Sequence, residues 1–198
     1  MNKIKQVEAY AQEMLQSEKT AHDFSHSCRV MKIAVYIGEK LDADIEIIKI
    51  AALTHDIIDK KVTDDVEQTT MKLKNKLSSI GYQEEQIKEV LNIIENISFS
   101  SGKIPESLEG KIVQDADRLE AVGAISIARA FAYGGKMNRS IYEENNDDCS
   151  IAHFYDKLLK LKDMMNTTIA KEIAKKRHII MEEYLENFFN EWNLKDIE

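Results

Sequence analysis

The chain has 198 residues, 43% of them hydrophobic and 31% charged, which gives enough apolar surface for a real core and too many charges for a membrane-embedded protein. A formal charge of −8 argues against a surface that coats a nucleic-acid polymer, because phosphate backbones call for a basic footprint. The stretch Met1-Asn2-Lys3-Ile4-Lys5-Gln6 lacks the apolar run of a signal peptide and nothing later reaches membrane length, so a cytoplasmic protein without membrane association is expected.

Seven glycines and one proline leave few helix breakers, and apolar residues recur at spacings of three and four. The expectation is an all-α fold in a single domain. A first helix is predicted over residues 3–17, with Ile4, Val7, Tyr10, Ala11 and Leu15 on its apolar face. The polar stretch 18–23 interrupts the pattern, and a second helix follows over 25–41 through Val30, Ile33, Ala34 and Ile37. Asp44 is a good N-cap for a third helix over 45–58, which is apolar on nearly all sides at Ile50-Ala51-Ala52-Leu53 and should be the buried central helix. Further helices fit 65–80, 84–97, 108–133 with a break at Gly123, and 151–192 in one or two pieces. Residues 98–105 form a turn-rich loop, and 134–150 a long polar one whose Glu143, Glu144, Asp147 and Asp148 are read as solvated charge. Near the C-terminus, Tyr184, Leu185, Phe188, Phe189 and Trp192 make a packing stripe for docking on the core, in a small satellite, or on a second subunit of a homodimer. Cys28 and Cys149 lie far apart without CxxC spacing, so neither a disulfide framework nor a zinc knuckle is indicated.

Chemistry concentrates in three polar clusters set in apolar helical contexts. His55-Asp56 ends the most apolar helix, where adjacent ionisable groups are costly unless paired or bound to metal. Asp115-Ala116-Asp117 follows Ile112-Val113 and precedes Leu119. His22-Asp23-Phe24-Ser25-His26 opens the second helix. Imidazoles and carboxylates from three separate helices make a mixed nitrogen and oxygen site suited to Mn²⁺, Fe²⁺, Co²⁺, Ni²⁺ or Zn²⁺, and to Mg²⁺ where carboxylates dominate; without thiolates, a structural zinc site is not indicated.

At these residues the chain resembles the HD superfamily of metal-dependent phosphohydrolases, whose pattern is H…HD…D. The match reads His26-Ser27-Cys28-Arg29-Val30 for the first segment, Ala52-Leu53-Thr54-His55-Asp56 for the doublet and Gln114-Asp115-Ala116-Asp117-Arg118-Leu119 for the last aspartate. Ser98-Phe99-Ser100, Asp115 to Gly123, Ala128 to Gly135 and His153 to Leu159 look like the small bacterial YpgQ- and YedJ-like branch, so the likeness covers nearly the whole chain. The resemblance implies an HD-type helical bundle around one divalent ion, Mn²⁺ or Mg²⁺ being favoured, held by His26, His55, Asp56 and Asp117. It also implies hydrolysis of a phosphate ester or anhydride in a small nucleotide. The favoured reaction gives monophosphate and pyrophosphate from a ribo- or deoxyribonucleoside triphosphate. A nucleotide phosphomonoesterase, a cyclic-nucleotide phosphodiesterase and a non-catalytic nucleotide sensor are the alternatives.

His22-Asp23 is a second doublet, but it sits in a polar connection and is read as lying at the pocket rim toward substrate, as standing behind the ligands, or as a plain N-cap; the i,i+4 pair His22 and His26 would chelate one ion only if the helix began early. Asp115 is read as a cap, an orienting carboxylate or a solvated group. Asp59, three residues after Asp56, shares its face if the helix continues and could then serve water with Asp56. The cations nearest the motifs are Arg29, Lys60, Lys61 and Arg118, with Arg118 leaning toward a salt bridge behind a ligand. The doublet is followed by Ile57-Ile58-Asp59-Lys60 where many relatives carry Ile-Gly-x-x-Lys, which puts the phosphate role of Lys60 in doubt. Arg129 is a further candidate cation, but for it, as for Lys61, His153 and His178, the structural reading is favoured.

Overall fold

The computed structural model describes residues 2–16, 23–60, 62–97 and 102–197. Among them the regular structure is helical and no strand forms. The chain divides into two compact units, Met1–Asp117 and Arg118–Glu198.

The first unit holds α1 (Lys3–Met14), α2 (Phe24–Lys40), α3 (Ile45–Thr54), α4 (Val66–Ile80), α5 (Glu84–Asn96) and most of α6 (Leu108–Glu120). As expected, α3 is the central helix: it packs against α1, α2 and α5, and Ile47, Ile48, Ile50, Ala51, Ala52 and Leu53 are all buried. Asp44 starts it as predicted, its Oδ1 accepting from the amides of Glu46 at 2.9 Å and Ile47 at 3.1 Å. The expectation of a helix running to Ile58 is not met. After Thr54 the chain tightens into three-residue turns, the amide of Ile57 donating to Thr54 and that of Asp59 to Asp56.

The second unit holds the end of α6, then α7 (Ala124–Lys136), α8 (Ala152–Asp156), a 3₁₀ helix (Leu158–Met164) and α9 (Thr168–Trp192). The break foreseen at Gly123 is present, with φ +102° at the start of α7. The C-terminal segment forms three pieces rather than one or two. The loop expected from Gly134 begins only after Lys136. Gly134 lies inside α7, and a Cβ there would lie 2.1 Å from Ser150 Oγ, so the missing side chain is what admits the returning loop. Tyr142 packs edge-on against Phe188, Phe189 and Trp192, which makes the C-terminal stripe a packing surface as read. Cys28 and Cys149 are free thiols.

Candidate metal centre

Three helices of the first unit bring their polar residues to one point. Asp23 caps α2, its Oδ1 accepting from the His26 amide at 2.7 Å, which sets the first turn and with it the direction of the His26 side chain. His55 stands at the end of α3, and its Nδ1 lies 2.9 Å from the Ala52 carbonyl. In the neutral ring that contact fixes the proton on Nδ1 and turns Nε2, which is buried and makes no hydrogen bond of its own, toward the cluster. Asp117 comes from the last turns of α6.

The four groups alternate in charge around a ring. Nε2 of His26 lies 3.2 Å from Asp117 Oδ1 and 3.6 Å from Asp56 Oδ2, while Nε2 of His55 lies 3.3 Å from Asp56 Oδ2 and 3.7 Å from Asp117 Oδ1. Donors held about 2.0–2.2 Å from one ion lie roughly 3.0–3.5 Å from each other, so the ring has the dimensions of a coordination shell. Two nitrogens and two carboxylates, without sulfur, are a donor set for a borderline or hard divalent ion. His26, His55 and Asp117 form the metal-capable group among the described residues, and Asp56 joins it through the two distances above. The side chains of His26, His55 and Asp56 are 2 to 5% exposed, but that of Asp117 is 32% exposed, so solvent reaches the ring beside Asp117. A hollow on α4 and α5 lined by Thr70, Met71, Lys74 and Glu95 contains none of these residues, and the chemistry lies in the buried ring.

The electrostatics show how tightly the ring is coupled. Burial presses the His55 pKa down, but the charge of Asp56, the pairing with Asp117 and the Ala52 carbonyl outweigh it and lift the group from 6.5 to about 9. Burial likewise pushes Asp117 up, and pairing with His26 and His55 more than reverses this, holding the carboxyl well below the usual carboxylate range. In the metal-free chain a proton on His55 thus occupies the place of a cation.

Other expected site residues have different positions. Asp23 is the N-cap of α2, with Ser25 Oγ also donating to it at 2.9 Å, so its carboxylate serves the helix rather than a pocket rim. Arg29 donates to Ser25 Oγ at 3.0 Å. Asp59 lies in the turns after α3, half-buried, because the helix whose continuation would align it with Asp56 has ended; Lys60 is exposed. Arg118 is buried and donates to the Met164 carbonyl, a partner that the salt bridge expected behind a ligand did not anticipate. His22, Lys61, the polar connection 18–22 and the loop start 98–101 lie outside the described residues. Asp115 is wholly buried, which rules out the solvated option. Two residues hold positions that the sequence reading did not assign: Gln114, which it carries only as the first residue of the last motif segment, and Arg177. Gln114 is buried, and its amide donates to the Lys103 carbonyl at 2.9 Å, tying the segment before α6. Arg177 donates to the Leu119 carbonyl at 2.6 Å, yet it sits among Lys175, Lys176 and His178, a run that reads as a solvated face. Arg129 donates to the Glu120 carbonyl, and His178 lies 2.8 Å from Lys162 Nζ and 3.1 Å from Glu182, both as structural residues.

The HD domain profile matches residues 23–122, a span that includes every member of the ring. The chain is 42% identical over 189 residues to the uncharacterized protein YpgQ of Bacillus subtilis, covering 93% of this chain and 91% of that protein. It is similar to the crystal structure of YpgQ in complex with ADP, with a TM-score of 0.84 at 41% identity over 95% of this chain and 97% of that one. A crystal structure of an HD-superfamily hydrolase from Bacillus thuringiensis gives a TM-score of 0.80 at 42% identity over 96% and 97% of the two chains. Among the described residues, no helix is long and apolar enough to cross a membrane. With the H…HD…D residues assembled into one ring and these relatives matched along nearly the whole length, the chain belongs to the HD-domain family of metal-dependent phosphohydrolases.

Proposed function

We propose that the protein hydrolyses nucleoside or deoxynucleoside triphosphates to monophosphate and pyrophosphate, using one divalent ion, Mn²⁺ or Mg²⁺, held by His26, His55, Asp56 and Asp117. The observation that carries this reading is the ring of two imidazoles and two carboxylates at 3.2 to 3.7 Å. A nucleotide substrate is supported by the related YpgQ, whose crystal structure was determined with ADP. When bound, such an ion lowers the pKa of water from about 15.7 toward ~7 and offsets phosphoryl charge.

The chain's own groups supply the rest. His26 and His55 present their Nε2 atoms from the buried side, which leaves the Asp117 side open to substrate. Water forms the new bond to the α-phosphorus as the bond to the bridging oxygen of the β-phosphate breaks, and pyrophosphate leaves with that oxygen. Asp56 is assigned to receive the proton of the water, because the helix that would have brought Asp59 onto the same face ends at Thr54. Lys60 and Lys61, with Arg29, are assigned to the leaving phosphates.

The test uses metal-stripped protein resupplied with Mn²⁺, Mg²⁺, Co²⁺ or Ni²⁺ and a panel of nucleotides, with products resolved by phosphorus NMR. Pyrophosphate together with monophosphate is expected. Orthophosphate as the first product, or opening of a cyclic nucleotide, replaces this reaction with a phosphomonoesterase or phosphodiesterase, and tight nucleotide binding without turnover makes the protein a sensor. His55→Ala and Asp117→Ala should each reduce turnover by about 10²-fold or more. Parental rates in both would show the ring to be the wrong site.

A further inference from the structure

We infer that Arg177 is a positioning residue for Asp117, clamping the last turn of α6 so that the carboxylate keeps its place in the metal ring. The inference rests on Asp117 being a ligand.

A helix ends with four carbonyls that lack intrahelical donors, and its final turn frays unless they are satisfied. Asp117 stands just ahead of that turn and is the ring member most open to solvent, so fraying would move it first. Two of these carbonyls keep a backbone donor in tight three-residue turns, Arg118 from the Ala121 amide at 3.0 Å and Leu119 from the Val122 amide at 3.2 Å. Guanidinium groups add to them: Arg118 donates its own to the Met164 carbonyl, the Leu119 carbonyl takes a second and shorter bond from Arg177 at 2.6 Å, and the Glu120 carbonyl accepts from Arg129 at 3.1 Å. Cations at this end also complement the negative pole of the helix dipole. Gly123 provides an independent observation. Its φ of +102° suits glycine, and a Cβ there would lie 3.0 Å from Arg177 Cβ and 3.2 Å from Cγ, so the backbone leaves a path along which the arginine stem passes to Leu119. A ligand must stay within about 0.5 Å of its working position, which is the tolerance a clamped turn provides.

The experiment titrates Mn²⁺ into metal-stripped protein, following the loss of the free-ion EPR signal well below the melting temperature, alongside thermal melts of the metal-free forms. Arg177→Met should weaken Mn²⁺ binding about tenfold, in the range that supporting residues around a metal exert, and Arg177→Lys should recover most of that loss. Arg177→Met that melts earlier yet binds Mn²⁺ like the parent overturns the inference, since the arginine then serves stability alone. Should Arg177→Met fail to fold, Gly123→Ala keeps the guanidinium but displaces its stem and should weaken Mn²⁺ by a similar factor; parental affinity there is equally fatal. Asp117→Ala separates the two layers. If it leaves Mn²⁺ binding intact, the metal reading itself falls, whereas if it abolishes binding and the Arg177 and Gly123 variants do not weaken it, only the clamp is wrong.

Discussion

His55 carries two obligations, to its own helix through the Ala52 carbonyl and to the ring through Nε2. Both partners favour the charged imidazole, which is why its pKa rises from 6.5 to about 9 despite burial. The sign of the pH dependence follows. In the metal-free protein the raised pKa contributes stability that is full below about 6.5 and is lost as pH rises through about 9. Asp117, with its pKa depressed, contributes stability present above the ordinary carboxylate range and lost as pH falls through its lowered value. With the proposed ligand set, a metal ion would displace the His55 proton, so divalent affinity should rise by about tenfold per pH unit through neutrality and level off near the folded pKa. Calorimetric titration of Mn²⁺ across buffers from about pH 6.5 to 8.5 measures this, and a flat affinity would remove His55 Nε2 from the ligand set.

At the level of the element, α3 matters as a platform. From Ile47 onward its apolar residues are all buried, and the doublet emerges where the helix stops. Leu53→Ala removes a fully buried side chain two residues before His55 and should lower stability by about 2–5 kcal/mol in denaturant unfolding, with metal affinity weakened as the helix end relaxes. A loss below about 0.5 kcal/mol would mean that the site collapses around the cavity without penalty. In α7 the conflict is between propensity and packing. Alanine is a better helix former than glycine by about 1 kcal/mol, but Gly134→Ala must push Ser150 aside. The substitution should therefore destabilise by about 1–3 kcal/mol. Adding Ser150→Ala, which removes the Oγ 2.1 Å away and leaves a Cβ at 3.3 Å, should recover most of that. Stabilisation by the single change would show that the loop does not return against the helix.

For the molecule as a whole, an ion that binds only the folded ring adds its binding free energy to stability. At a hundredfold excess over Kd this is about 2.7 kcal/mol, equivalent to a rise in melting temperature of roughly 5–10 °C for a chain of this size. Chelator should reverse the shift in the parent and leave the melting temperature of Asp117→Ala unchanged; an equal chelator response in both would place the ion elsewhere.

The helices and the three polar clusters are legible in the order of residues alone. Periodicity at three and four reports a buried face directly, and a doublet such as His55-Asp56 behind Ile50-Ala51-Ala52-Leu53 is costly enough to signal its purpose. The likeness to the HD pattern then separated His26 from His22 and Asp117 from Asp115. The tertiary structure decided what depends on where a helix stops and what crosses it. That α3 ends at Thr54 removed the helical alignment of Asp59 with Asp56, and a single turn of difference at a helix end lies below what periodicity resolves. Of the roles open to Asp23 the cap is realised, because its carboxylate reaches the His26 amide, and Arg177 became a clamp because Gly123 left it a path. Such contacts join residues as far apart as Leu119 and Arg177, and no local pattern encodes a guanidinium's distant acceptor.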